Sequence, residues 1–442
     1  MSEKHTKVLG DYFTLQRGTT YESKLLGLPG PVLLGLGTIQ RNGGFRSDSL
    51  RTYGGDSPDK LLVRPGELYV SLKDVTQSAD LLGAVARLPR DHAPGRLTQD
   101  TVKLEPKNGD VPVDYLYWLM RTPEYRSYCR GCATGTTNLG LSREDFLSFP
   151  AAEPTDVQGL LVGTLDSLDD KIELNRRTNE TLEAMARAIF KSWFVDFDPV
   201  RAKASGELPE SICRRLGLTP ELLALFPDDF QESELGPIPS GWTVSTIGAL
   251  AEIVGGGTPS TKEPAYWDGG EHCWVTPKDL SRLATPVLLT SERRITDAGL
   301  AQIGSGLLPK GTVLLSSRAP IGYRAIAEVP VAVNQGFIAM RAKAGVSSYF
   351  LLYWAESAHQ EIVGRANGST FLEISKSNFR PIPLVAPPKA VLDAFHRLLE
   401  PIYQRMVANE RETAALTEQR DTLLPRLLAG EMDIAGVEMR DE

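Results

Sequence analysis

Two stretches of the chain repeat their apolar residues in steps of three and four. The first series runs Leu161, Leu165, Leu168, Ile172, Asn175, Asn179, Leu182, Ala186, Ile189, and the second Phe395, Leu399, Ile402, Met406, Asn409, Thr413, Leu416, Arg420, Leu423. Every member of the second lies 234 residues after its counterpart. Both are heptad seams in one phase, the pattern of helices that bury a stripe against a partner. Long helices are therefore predicted over 155–196 and 389–430, each spanning roughly 50 Å at ~1.5 Å per residue. Either stretch alone would read as an amphipathic helix facing a core; two copies in phase favour antiparallel pairing with each other. Asparagine at matched places adds to this, because a buried amide lowers stability yet fixes register and partner. Asn175 and Asn409 are expected to meet partners across the helix pair.

The stretches upstream of the helices change period. Residues 1–154 and 241–388 consist of short apolar runs between Gly and Pro turns and read as strand-rich domains. They also repeat. ATGTTNLGLSREDFLSFP (133–150) lies over ANGSTFLEISKSNFRPIP (366–383) at a constant shift of 233, matching Ala133 with Ala366, Gly135 with Gly368, Leu139 with Leu372, Ser142 with Ser375, Phe146 with Phe379 and Pro150 with Pro383. Further upstream Pro65, Gly66 and Ser71 answer Lys310, Gly311 and Ser316, and Tyr117–Trp118 answers Tyr353–Trp354. Self-similarity of this kind outranks any local motif. The fold expected is α+β: two strand-rich domains separated by a pair of long antiparallel coiled-coil helices, a tandem repeat with an approximate twofold axis. A connector rich in Pro and acidic residues spans 197–240, and an acidic tail spans 431–442.

Length and charge refine this. At 442 residues the chain exceeds one ordinary core. No run of eighteen apolar residues and no leader-like start is present, so a cytoplasmic protein away from membranes is expected. The net charge of -8 is unevenly placed: residues 1–154 carry 19 Lys and Arg against 18 Asp and Glu, 155–236 carry 9 against 16, 237–388 carry 13 against 11, and 389–442 carry 7 against 11. Acidity thus sits in the connectors and tail, leaving both strand-rich segments compatible with a basic groove.

Catalytic motifs are weak. Cys129 and Cys132 form a CxxC, but Cys213 and Cys273 are isolated and supply no second pair for zinc. DFDP at 196–199 lacks the second Pro and the aromatic of a methyltransferase loop and reads as a helix end. GGGTPST at 255–261 lacks the GK[ST] ending of a nucleotide loop. PDK at 58–60 has no acidic partner nearby, and the five histidines are scattered. No catalytic or metal site is expected, and no cofactor in this chain. What the turns do hold is hydrogen-bonding groups suited to base edges and cations suited to phosphates. In the first domain these are Arg17, Thr19, Thr20, Lys24, Arg41, Arg46, Lys73, Thr136, Thr137 and Asn138; in the second, Thr258, Thr261, Lys262, Thr276, Lys278, Arg318, Asn334, Gln335, Arg365, Asn367 and Ser369. Any one of them reads equally as a solvated surface residue; as two clusters in equivalent loops they are the candidate nucleic-acid ligands. Trp118, Trp267, Trp274 and Trp354 are expected to pack rather than to stack on bases.

GGGTPST followed by YWDGG and WVTPKDL, then SSRAPIGYRAIAEVPVAVNQGF, the helix ending IFKSWFVDFDPVRAK, and the connector FPDDFQESELGPIPSGW together resemble the specificity (S) subunit of type I restriction-modification systems. The resemblance runs through nearly the whole chain. It departs in the first domain, where QRGTTYES stands in place of GGGTPST. It implies a non-catalytic subunit whose two target-recognition domains each read half of a split site on double-stranded DNA. It further implies two methylation subunits carrying S-adenosylmethionine and two motor-nuclease restriction subunits using ATP and Mg. Two rival classes are a divergent fused methyltransferase or nuclease, and a helical scaffold whose strand-rich domains bind protein or glycan.

Overall fold

The computed structural model describes residues 7–429 except 48, 49, 77, 137 and 369–371. It is a mixed helix and sheet structure whose chain divides into two compact units, Met1–Lys171 with Ala415–Glu442, and Ile172–Ala414.

The first unit is built on β1 (Phe13–Arg17), β2 (Val32–Leu34), β3 (Leu62–Val63), β4 (Leu68–Ser71), β5 (Val85–Arg87), β6 (Gly95–Leu97) and β7 (Thr101–Pro106). One antiparallel sheet has the order β1-β7-β4-β5, and a second has β2-β6-β3 with β2 and β6 parallel. All four residues of β4 are buried, since the strand is covered on both faces. Around the first sheet lies a core of Leu9, Phe13, Leu68, Val70, Val102, Leu104, Leu116, Trp118, Tyr125 and Phe146. A short helix, Arg143–Leu147, closes it, capped by Ser142, whose side chain accepts from Asp145 N. The first helical seam starts here: in α1 (Asp156–Phe194) Leu161 and Leu165 join this core, together with Leu424.

The second unit holds β8 (Ala251–Val254), β9 (His272–Val275), β10 (Val287–Leu288), β11 (Arg293–Ile295), β12 (Val313–Ser316), β13 (Arg324–Ala327), β14 (Val331–Val333) and β15 (Phe337–Ala342). Its sheets have the orders β8-β15-β12-β13-β10 and β11-β9-β14, with β9 and β14 parallel. Here too the central strand, β12, is buried throughout, and a helix of four residues, Lys376–Phe379, is capped by Ser375. The connector is folded rather than loose. After α1, Phe197 takes a left-handed conformation (φ 55°) that turns DFDP into a helix over Asp198–Ala204, and Ile212, Leu218, Leu223 and Phe226 sink into the unit's main core.

The longest element is α2 (Lys389–Ala429). In the second unit Asn175 donates from Nδ2 to Glu412 at 2.9 Å, Asn179 to Glu410 at 2.9 Å, and Asn409 to Asn179 Oδ1 at 2.8 Å. The three asparagines are at most 2% exposed, so these bonds pair amide nitrogens that would otherwise be stranded, while Asn409 Oδ1 has no partner among the described residues. Leu161, Leu165, Leu399 and Met406 are buried, and Leu168, Ile172, Leu182, Ile402, Leu416 and Leu423 are half-buried. Among the described residues no helix is long and apolar enough to cross a membrane.

Candidate nucleic-acid interface

In the second unit a glycine sets the site. A Cβ on Gly256 would stand 1.8 Å from Val333 O, so only glycine lets this loop lie against the end of β14. Gly257 N then donates to Val333 O at 3.0 Å, and Thr258 Oγ1 donates to Gln335 Oε1. Asn334 N donates to Val275 O at 3.0 Å, while Asn334 Oδ1 accepts from Gly336 N at 2.9 Å. Val275 leads directly into a capping box, in which Thr276 Oγ1 donates to Asp279 at 2.7 Å. From the same turn Gly336 O accepts from Ser317 N at 2.8 Å, which places Arg318 beside Glu373 at 3.4 Å. Glu373 in turn exchanges backbone hydrogen bonds with Asn367. Thr258, Thr276, Asn334, Gln335, Arg318 and Asn367 are thereby brought into one continuous loop cluster. Lys278 follows Thr276 and bonds Glu292 at 3.2 Å; that bond, with Arg282 nearby, holds the Glu292 carboxyl below its usual range. Thr261 and Lys262 are exposed in the turn after Pro259. Arg365 is bound to Glu361 at 2.7 Å, and its carbonyl accepts from Asn378 Nδ2 at 3.1 Å.

In the first unit Gly18 plays the part of Gly256: its Cβ would stand 2.0 Å from Thr98 O. The exposed Thr19 and Thr20 beyond it are gripped by Arg96, which is 4% exposed and donates from Nη2 to Thr19 Oγ1 at 3.0 Å and to Thr20 O at 3.2 Å. Lys73 bonds Asp100 at 3.2 Å and pairs in antiparallel register with Gly140. Gly140 and Thr134 close a small hairpin whose exposed tip carries Thr136 and Asn138. A second group sits apart along the loop: Lys24 pairs with Glu22 at 2.7 Å, Arg41 stands 3.9 Å from Asp80, and exposed Arg46 is anchored by its backbone N to Thr38 O. Thr137 and Ser369 lie outside the described residues.

Most of these cations already face carboxylates. Exposed pairs of this kind contribute about 0–1 kcal/mol, so a phosphate exchanges for the carboxylate at little cost. Among the described residues, however, the side chains of Arg17, Lys262 and Lys376 have no hydrogen-bond or ion-pair partner. The tryptophans pack: Trp118 and Trp354 are 0% and 6% exposed, and Trp274 is 4% exposed with its ring nitrogen bonded to Gly257 O. Half-buried Trp267 bonds Ser260 O and lies under the Arg293 guanidinium, 3.6 Å from the ring centre. Two residues escaped the sequence reading. Arg96 left no sign, since a buried arginine that organises a loop looks like any other. Lys376 left one: it follows Ser375 in the repeat as Arg143 follows Ser142, a cation at both places.

The family described as "Type I restriction modification DNA specificity domain" matches residues 239–413. The sequence is 40% identical over 161 residues to the type I restriction enzyme MjaIX specificity subunit of Methanocaldococcus jannaschii, a match covering 36% of this chain and 37% of that relative. It is 28% identical over 368 residues to the type I restriction enzyme HindI specificity subunit of Haemophilus influenzae, covering 74% of this chain and 79% of the relative. The fold is that of the type I restriction-modification S subunit from M. genitalium, at a TM-score of 0.58 and 16% identity over 95% of each chain. The glycine-pinned loop cluster described above falls inside the matched specificity domain.

Proposed function

We propose that this chain is the DNA specificity subunit of a type I restriction-modification complex, reading a bipartite target on double-stranded DNA and having no catalytic site of its own. Residues 1–154 and 241–388 act as the two target-recognition domains, and the helices within 155–196 and 389–430 pair as an antiparallel strut. The observation that carries this reading is that both units pin a loop by a glycine against a strand end and display hydroxyls, amides and cations there. Such a set offers cations to phosphates, which fix position, and donors and acceptors to base edges, which supply sequence.

An approximate twofold axis is supported by the pairing of the asparagines. Asn175 reaches Thr413 at 3.5 Å, and Asn179 bonds Asn409. A shift of 234 converts the first pair into the second, as expected where an axis passes between them. On this proposal each reader takes one half of a target split by an unread gap. Methyl transfer, with S-adenosylmethionine, belongs to two methylation subunits, and ATP- and Mg-dependent cleavage to two restriction subunits.

The test is a methyl-transfer assay with and without partners. The purified chain is expected to give no turnover on DNA carrying its site, and robust turnover by the chain alone would overturn the reading. Exchange of residues 1–154 for a relative's equivalent is expected to change one half of the methylated sequence; a change in both halves would refute the two-reader arrangement.

A further inference from the structure

The ends of β1 and β8 differ at one position. In the first unit Gly18, held against Thr98 O, is preceded by Arg17; in the second, Gly256, held against Val333 O, is preceded by Gly255. β1 pairs with β7 and β8 with β15 in the same antiparallel sense, so Arg17 and Gly255 occupy the same place in their sheets, at or just past the strand end. The first unit thus sends out a cation where the second has no side chain.

That vacancy is covered from elsewhere. A Cβ on Gly255 would meet Lys376 Nζ at 3.0 Å and its Cδ and Cε at 3.5 Å. The lysine stem, rising from the short helix Lys376–Phe379, therefore lies along the glycine backbone and brings its ammonium to the position from which Arg17 projects in the first unit. The ammonium is the atom nearest the glycine and Lys376 is exposed, so the charge is able to meet an anion there. Neither Lys376 nor Arg17 has a side-chain partner among the described residues, unlike Lys73, Lys278 and Arg318 around them. Lys376 lies against the first of three successive glycines, Gly255, whose lack of a side chain allows close approach of a backbone.

We infer that Lys376 is a DNA phosphate contact of the second reader, and that it replaces by a different route the cation that Arg17 supplies in the first. This rests on the DNA-reading function proposed above. As a phosphate contact, it positions the duplex and carries no sequence preference. The arginine is presented by the strand itself. The lysine reaches its place only because position 255 lacks a side chain, so Gly255 and Lys376 act as one device.

The experiment measures binding of the full chain to a duplex carrying its methylated target, and to a scrambled duplex, across a salt series. Each phosphate contact contributes about 0.9 to the slope of log K against log salt. Lys376→Ala is expected to weaken both duplexes by the same factor and to lower that slope by about 1, with the sequence preference unchanged. Arg17→Ala is expected to do the same. Gly255→Arg combined with Lys376→Ala, which moves the second reader's cation to the first reader's position, is expected to restore the slope. An unchanged slope in Lys376→Ala, or a changed sequence preference, would overturn the inference. If the unsubstituted chain discriminates neither duplex, the DNA-reading function fails instead, so the two failures are distinct.

Discussion

Each unit joins its sheets to the long helices, and the two joints use opposite chemistry. In the first unit the joint is ionic. Arg121, whose side chain is only 5% exposed, bonds Asp169 of α1 at 2.6 Å, and Arg420 of α2 bonds the same carboxylate at 2.9 Å. Beside it Asp166 accepts from the Trp118 ring nitrogen at 2.8 Å and faces Arg87 at 3.1 Å. The arginines also lie over rings, Arg87 over Tyr117 at 4.1 Å and Arg121 over Trp118 at 4.3 Å. In the second unit the joint is aromatic. Phe190, Trp193 and Phe194 of α1 interlock with Phe350, Phe395 and Trp242, with centroid distances of 4.9–6.1 Å and mostly tilted or edge-on geometry. It also has ionic members, buried Glu183 paired with Arg187, and Glu356 paired with Arg187 and Arg324. The difference matters because aromatic burial is favourable on its own, whereas a buried ion pair gains little net energy but is costly to break.

The largest effect is expected from Phe194→Ala in the aromatic joint, about 3–5 kcal/mol for truncating a buried phenylalanine. Denaturant unfolding with exchange mass spectrometry is the readout, and the loss should appear in the second unit. Equal loosening of peptides from 62–106 would show that the aromatic joint is not local. Asp169→Ala is expected to cost about 3 kcal/mol in the first unit, by leaving Arg121 buried without its carboxylate. The sharper comparison is rescue: Asp169→Leu with Arg121→Met and Arg420→Met, which replaces Asp169 and its two arginines by apolar groups, should recover most of that loss. No such rescue exists for Phe194. If the triple variant stays as unstable as Asp169→Ala, the ionic joint contributes more than its desolvation cost allows.

A smaller change tests what lies between the joints. Asn179→Leu removes the acceptor for buried Asn409 Nδ2 and should cost about 1–3 kcal/mol. Asn179→Leu with Asn409→Leu should be close to neutral in stability while loosening the choice of register, detectable as heterogeneous crosslinks between cysteines placed on α1 and α2. A double variant as destabilised as the single would mean that the amides contribute stability rather than register.

These joints also show what the sequence makes legible. The seams were readable because heptad spacing survives without tertiary context, and the matched asparagines marked them as special. Their pairing was not readable. Asn409 meets Asn179, and Asn175 meets Glu412, because antiparallel register depends on where both helix ends are docked, and the docking lies in the sheets. Those sheets are hard to see strand by strand: β4 and β12 are buried on both faces, so the alternation that announces a strand is missing. The loops of the candidate site announced themselves by residue type, but type does not say which cations are already engaged. Lys73 and Lys376 look alike in the chain, and only the fold gives the first Asp100 and leaves the second without a side-chain partner among the described residues.

The smallest expected effect is a difference in response to acid. Burial alone would raise the Asp169 pKa, but Arg121 and Arg420 overcome it and hold the carboxyl below its ordinary 3.8. Its contribution to stability is therefore complete above that ordinary value and is lost as pH falls through the lower, folded one. Glu183, a buried carboxylate of the second unit, shifts the other way: burial, with Glu356 nearby, pushes it above its ordinary 4.5 against the pull of Arg187 and Arg324. Keeping Glu183 ionised is a penalty at neutral pH, and protonation relieves that penalty as pH falls through the raised value toward 4.5. Between neutrality and about pH 4.5 the second unit should thus gain slightly while the first is unchanged, and only below 3.8 should the first loosen. Trp118 reports the first unit alone, because the chain's other five tryptophans lie in 172–414. The difference in fluorescence between the unsubstituted chain and Trp118→Phe should stay flat down to pH 4 and change below it. In Asp169→Asn, measured the same way, the acid step should vanish. A Trp118 transition centred above pH 5 would place the sensitive group elsewhere and remove Asp169 from the account of that joint.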